Sequence, residues 1–295
     1  MTADIGTAVV TGANSGLGFE VTRALAGRST HVVMACRSTE RAAAARADVE
    51  ADDPAGTLSV RELDLASLAS VADFADSFGA DHETLDLLVN NAGVMGIARN
   101  ETADGFETQF GVNHLGHFAL TGHLLDRLRA GQAPRVVTVS SGMHERGEID
   151  FEDLQGERSY GRWAAYGRSK LANLLFAFEL DRRADRLTSV GVHPGYANTN
   201  LQSRAAADGG SLPERLTMPL FNALFAQPAA AGALPTLYAA THPDLEGGEY
   251  VGPGGFMNMR GAPEVQAPSE RARDEETAAR LWDVSEELTG VEYGL

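Results

Sequence analysis

Gly6 to Gly18 reads "GTAVVTGANSGLG", and the fold turns on how this stretch is read. Its first half is a short, β-branched apolar run that ends at glycine, the pattern of a strand buried on both faces. Its second half is a glycine-punctuated turn that opens a helix over Gly16 to Ala26. Working outward, the same unit recurs. "THVVMAC" reads as a second strand, followed by an Ala/Arg-rich helix from Thr39. "LSVRELD" is a third strand, and "SLASVADFADSF" a helix with Ser67 as its N-cap. "LDLLVNNAG" is a fourth strand, and a long helix with Asn113 near its middle follows. "PRVVTVSS" is a fifth strand, "WAAYGRSKLANLLFAFEL" an amphipathic helix, "TSVGVHPG" a sixth strand and "EYVGPGGFM" a seventh.

Strands and helices alternating in this way predict an α/β fold. Right-handed crossovers place helices on both faces of a doubly wound parallel sheet of about seven strands. No linker, internal repeat or low-complexity tract interrupts residues 1–295, so one domain is expected. Two stretches break the rhythm, a short insert between Ser141 and Tyr160 and a longer one from about Asn200 to Pro228. The second contains "LTMPLFNALF", too apolar for an exposed loop, and is read as a substrate loop, core or subunit interface.

Composition narrows the function classes. The chain has 295 residues, 43% hydrophobic and 22% charged, the balance of a soluble globular protein. No apolar run is long enough for a membrane helix, and no basic, then apolar, leader opens the chain, so a cytoplasmic location is expected. A formal charge of −17 argues against nucleic acid or an anionic membrane as partner. Acidic surface with a single lysine fits either a saline cytoplasm or a coding bias toward arginine. Cys36 is the sole cysteine, so no intrachain disulfide forms. His114, His117 and His123 share a helix, but no carboxylate or cysteine completes a ligand set, and no metal is expected.

Within the opening stretch, "TGANSGLG" sits where a parallel sheet binds a dinucleotide, its pyrophosphate at the helix N-terminus. Gly12 permits the tight turn, Gly16 lets the backbone approach the phosphates, and Gly18 lets helix pack on strand. Asn14, Ser15 and Leu17 complete the cradle. At the end of the second strand, where an acidic residue would hold a ribose 2′-hydroxyl, this chain has Cys36 and then Arg37. No carboxylate repels a 2′-phosphate there and a guanidinium is placed to bind one, which reads as NADP(H).

The lone lysine, Lys170, follows Tyr166 by four residues in "YGRSK", so both side chains share a helical face. A nearby ammonium favours phenolate over phenol, against the desolvation that disfavours it. Taken in order, T-G-x-x-x-G-x-G, "NNAG" at Asn90 to Gly93, Asn113, a serine after the fifth strand, Y-x-x-x-K and Pro194-Gly195 resemble the short-chain dehydrogenase/reductase family. They run from residue 7 to about 199. "FGVNHLGHFALT", "YGRSKLANLLF" and "VHPG" are most similar to its retinol dehydrogenase-like branch.

That resemblance implies a set of roles. Asp64 and Leu65 would lie near the adenine, Asn91, Ala92 and Gly93 along the cofactor, and Pro194, Gly195 and Thr199 beside the nicotinamide. Tyr166 would exchange a proton with the substrate oxygen, Lys170 would assist it and hold the ribose, and Asn113 would hold a relay water. Alignment with the family's "VSS" favours Ser141 as the carbonyl-orienting hydroxyl, with Ser140 as alternative. The implied activity is NADP(H)-dependent carbonyl–alcohol interconversion on a lipophilic small molecule, by a homo-oligomer. A C=C reductase of the protochlorophyllide reductase type and a non-catalytic NADP-sensing regulator are the alternatives.

Overall fold

The computed structural model describes residues 5–195, 227–255 and 258–295. The opening stretch forms β1 (Thr7–Thr11) and α1 (Gly16–Ala26). Then follow β2 (His31–Cys36), α2 (Thr39–Glu50), β3 (Thr57–Glu62), α3 (Leu68–Asp81) and β4 (Leu87–Asn90). Next is a broken helix made of α4 (Thr108–Phe110), a π-turn (Gly111–Leu115), α5 (Gly116–His123) and α6 (Leu125–Arg129). β5 (Arg135–Val139) leads through a 3₁₀ turn (Gly142–Arg146) to α7 (Arg162–Arg183) and β6 (Thr188–Val192). α8 (Ala229–Thr241), β7 (Tyr250–Pro253), β8 (Pro263–Gln266) and α9 (Glu275–Thr289) complete the described chain.

The strands form one sheet in the order β3-β2-β1-β4-β5-β6-β7-β8. Pairing is parallel from β3 to β7, and β8 runs antiparallel to β7, with Val251 opposite Val265. The expected doubly wound sheet is present, with an eighth strand that the sequence reading did not anticipate. Alternation along each strand sorts its side chains between two cores. Val10, Val32 and Met34 join α1, α2 and α8 on one face. Val9, Val33 and Ala35 join α3, α5, α7 and α9 on the other.

The order reverses between β1 and β4, where the crossovers leave in opposite directions and open a crevice beyond the strand ends. Among the described residues, no helix is long and apolar enough to cross a membrane. Thr199 and nearly all of the 200–228 stretch lie outside the described residues.

Candidate active site

A cleft of about 1130 Å³ opens along the carboxyl ends of the strands. Gly12, Asn14, Ser15, Gly16 and Leu17 line it at the start of α1. Gly12 and Gly16 have φ of +66° and +57°, the left-handed region that glycine tolerates best. Ser15, the N-cap of α1, makes no side-chain capping bond, so its orphan N–H groups are left for an anion. Gly18 does not line the cleft. A Cβ there would sit 2.5 Å from both the Gly12 carbonyl and Asn91 Nδ2, so this glycine lets α1 close on the turn.

Behind the turn, Thr11 is a junction. Its Oγ1 accepts the amides of Asn91 and Ala92, each at 2.9 Å, and meets His117 Nε2 at 2.9 Å. His117 Nδ1 meets the Asn113 carbonyl at 3.0 Å. A carbonyl only accepts, so Nδ1 carries the proton and Nε2 accepts from Thr11. Burial pushes His117 down to about 4 and keeps it neutral. His114 is held by Ser285 at 3.0 Å within an aromatic cluster that includes Phe110 and Phe118. These histidines are therefore packing and wiring. Among the described residues, no three His, Cys, Asp or Glu side chains gather to hold a metal ion.

Asn113 sits in the π-turn, fully buried and outside the cleft lining. Its Oδ1 accepts from Val94 N at 2.8 Å, and its Nδ2 donates to Val94 O and Ser169 Oγ, both at 2.9 Å. That clamp fixes the strand-end segment that carries Gly93. A Cβ on Gly93 would fall 2.9 Å from Asn113 Oδ1 and 3.6 Å from Lys170 Nζ, so the three groups converge on one spot.

Tyr166 and Lys170 rise from α7 into the cleft, with Nζ 5.9 Å from the phenol ring centroid. Lys170 Nζ donates to the Val139 carbonyl at 3.0 Å. Burial pushes Lys170 down to about 8, leaving it charged at neutral pH. Burial pushes Tyr166 up to about 12, opposed by a hydrogen bond with Ser141. The sequence reading set the lysine's field against desolvation, and here desolvation prevails, so Tyr166 is held as a phenol.

Both serines line the cleft but are bonded differently. Ser140 is buried and donates its hydroxyl to the Lys170 carbonyl at 2.7 Å. Ser141 is only partly buried and shares its hydroxyl with Tyr166 and with the Met143 amide at 3.2 Å.

At the β2 end, Cys36, Arg37, Ser38 and Arg41 line the rim. Arg41, which sequence reasoning missed, lies in the first turn of α2 and lines the same cleft as Arg37. Ser38 caps α2 by accepting from the Arg41 amide at 3.3 Å. Asp64, Leu65, Asn91, Ala92, Gly93, Pro194 and Gly195 also line the cleft. Among the described residues, Arg37, Arg41, Arg146 and Lys170 line it, against Asp64 and Glu145 as carboxylates. A chain with a net charge of −17 thus places more cations than anions among the described residues of this groove. The glycine cradle, the open helix start and that lining fit a phosphate-bearing dinucleotide.

Val94, Met95, Met143, Trp163, Tyr250 and Met259 add apolar wall to the cleft. Trp163 is seated against Gly96, whose φ is +61° and whose missing Cβ would lie 3.0 Å from the ring. No local sequence signal marked these residues.

The fold and cleft define a dinucleotide-dependent oxidoreductase scaffold. The chain belongs to the short-chain dehydrogenase family, whose model matches residues 6–209, and within it is retinol dehydrogenase-like. It is 41% identical over 291 residues to human retinol dehydrogenase 13, covering 97% of this chain and 85% of that protein. A solved, uncharacterised protein from Mycobacterium paratuberculosis is 43% identical with a TM-score of 0.80, covering 99% of this chain and 98% of its own. A solved gluconate 5-dehydrogenase-type protein from Beutenbergia cavernae, described with bound NADP, is 26% identical with a TM-score of 0.61, covering 80% of this chain and 89% of its own.

Proposed function

We propose that this protein is an NADP(H)-dependent oxidoreductase that interconverts a carbonyl and an alcohol on a lipophilic small molecule. The observation that carries the reading is the trio at the cleft floor: Tyr166 hydrogen-bonded to Ser141, with Lys170 one helical turn away. When bound, the nicotinamide supplies or accepts the hydride. Ser141 donates a hydrogen bond to the substrate oxygen and fixes its direction. Tyr166, a phenol in the free protein, gives that oxygen its proton in reduction and is left as phenolate, and in oxidation the phenolate takes the proton of the alcohol. Lys170 stabilises the transient phenolate through its charge. Asn113 clamps the Val94 segment, so that Gly93, Lys170 and the cofactor path keep their spacing.

Arg37 and Arg41 favour the 2′-phosphate cofactor, because two guanidiniums line the cleft beyond the end of β2, where Cys36 stands in place of a carboxylate. The apolar wall favours an uncharged, lipophilic substrate, consistent with the retinol named for its human relative. A panel of aldehydes, ketones and enones with NADPH and NADH tests the reading. NADPH should be preferred by tenfold or more in kcat/KM, and Arg37→Asp should erase or reverse that preference. Along aliphatic aldehydes of four to eight carbons KM should fall, since each buried methylene contributes about 0.8 kcal/mol. An unchanged cofactor ratio in Arg37→Asp, or a KM that rises with chain length, would overturn the corresponding assignment.

A further inference from the structure

β6 delivers His193 to the cleft immediately before the Pro194–Gly195 turn. The ring is 5% exposed and stacks on Tyr250 of β7, with centroids 5.1 Å apart and planes at 23°. Its two nitrogens are used in opposite senses. Nε2 meets Gln266 Oε1 at 3.0 Å, while Gln266 Nε2 donates to the Pro253 carbonyl at 2.9 Å. A carbonyl cannot donate, so the Pro253 contact fixes which end of the glutamine amide faces the ring. His193 Nε2 must therefore carry the proton. Nδ1 is left bare, and it accepts the amide of Gly195 at 3.4 Å. Burial, helped by His144, lowers the affinity of the ring for a second proton, opposed by the Gln266 hydrogen bond and by Glu145.

The turn is gripped on its other sides as well. Gln227 Nε2 donates to the Pro194 carbonyl at 2.7 Å. Gly195 has a φ of +68°, and a Cβ on it would lie 2.3 Å from the Met259 carbonyl. Room for the imidazole comes from Gly252, where a Cβ would fall 1.9 Å from His193 Nε2. Gln266 itself lies on β8, the antiparallel strand at the edge of the sheet.

We propose that His193 and Gln266 form a positioning couple, in which β8 holds the imidazole in one tautomer so that it sets the Pro194–Gly195 turn at the cleft wall. The proposal rests on the reading above in one respect: the turn matters because it borders the nicotinamide end. Neither residue transfers a proton or touches the reacting atoms. The couple controls how well the reacting partners are aligned, and misalignment alone can cost orders of magnitude in rate.

The test uses His193→Phe, which keeps the ring stack, Gln266→Leu, and the double variant. Each single variant should lower kcat about tenfold or more while the Kd for NADPH stays within about threefold. The isotope effect with 4-deuterated NADPH should rise as hydride transfer becomes slower. The double variant should be no worse than either single, because residues that act as a unit are not additive. Losses that multiply in the double variant would overturn the couple, as would a drop in melting temperature with kcat and isotope effect unchanged. A readout that needs no turnover is the ¹⁵N spectrum of the cofactor-free protein. It should show His193 protonated at Nε2 in the native chain and a mixture of tautomers in Gln266→Leu; an Nδ1-protonated ring in the native chain would refute the proposal. Absence of NADPH turnover in the native protein would instead refute the proposed reaction and leave the tautomer test standing.

Discussion

His114 and His117 lie in the broken helix, 1% exposed each, and burial holds them at about 3 and about 4. In the unfolded chain both return to about 6.5. As pH falls, the unfolded chain takes up protons first, so stability present above pH 6.5 is lost progressively below it. At pH 5 the unfolded state has gained nearly one proton at each histidine, and the native state almost none. Integrated from pH 8, this costs about 2 kcal/mol per histidine and about 4 for the pair. That is a large part of a domain stability of about 5–15 kcal/mol. The perturbation is His117→Gln, read by urea unfolding at pH 8 and pH 5. The variant will be less stable at pH 8, because it disturbs the Thr11–His117–Asn113 bridge. Its loss between pH 8 and pH 5 should nevertheless be smaller than that of the native protein by about 2 kcal/mol. Equal losses in the two proteins would mean that His117 titrates near its ordinary value, and the argument for a buried neutral bridge would fail.

The two serines should respond in opposite ways. Ser141→Ala should lower kcat by about 10²-fold or more, as removal of an oxygen-stabilising donor does, with little change in stability. Ser140→Ala leaves the buried Lys170 carbonyl without its hydroxyl and should cost about 1–3 kcal/mol in urea unfolding, with a smaller effect on kcat; the reverse pattern would exchange their roles. Gly18→Ala forces a Cβ to 2.5 Å from the Gly12 carbonyl, so a loss of about 1–3 kcal/mol and a tenfold weaker NADPH complex are expected, measured by melting and by titration. Unchanged affinity would separate Gly18 from the cofactor turn.

What the sequence disclosed was local chemistry repeated at fixed spacing. The opening strand, the glycine turn and the helix over Gly16 to Ala26 were legible because each signal lies within a few residues. Ser67 was legible as a cap for the same reason, and its Oγ accepts from the Ser70 amide. Tyr166 and Lys170 were legible because four residues make one helical turn. β8 was not, since "PEVQ" is four residues long, begins with proline and shows no clean alternation of buried and exposed positions. α9 carried a readable signal that went unused: an Asp274 cap, acidic residues in its first turn, an apolar stripe through Ala278, Leu281 and Trp282, and Gly290 in the left-handed conformation. The π-turn at Gly111–Leu115 was hidden, because its residues fit an unbroken helix as well. His193, Gln266, Trp163 and Arg41 reach the cleft only through tertiary packing, and their positions in the chain say nothing of that. The different bonds of Ser140 and Ser141 were not legible either: both line the cleft, but Ser140 is committed to the Lys170 carbonyl whereas Ser141 pairs with Tyr166.

The central claim is that Tyr166 moves the proton. It is most directly tested by single-turnover reduction of a lipophilic aldehyde by native protein and Tyr166→Phe, each preloaded with NADPH. The substitution removes the hydroxyl from a residue only 7% exposed and keeps its shape, so the cofactor should bind with a Kd within about twofold of the native value. Loss of a positioned acid predicts NADPH oxidation slower by about 10²–10⁴-fold. A variant that oxidises NADPH at a rate comparable to the native protein would contradict the account.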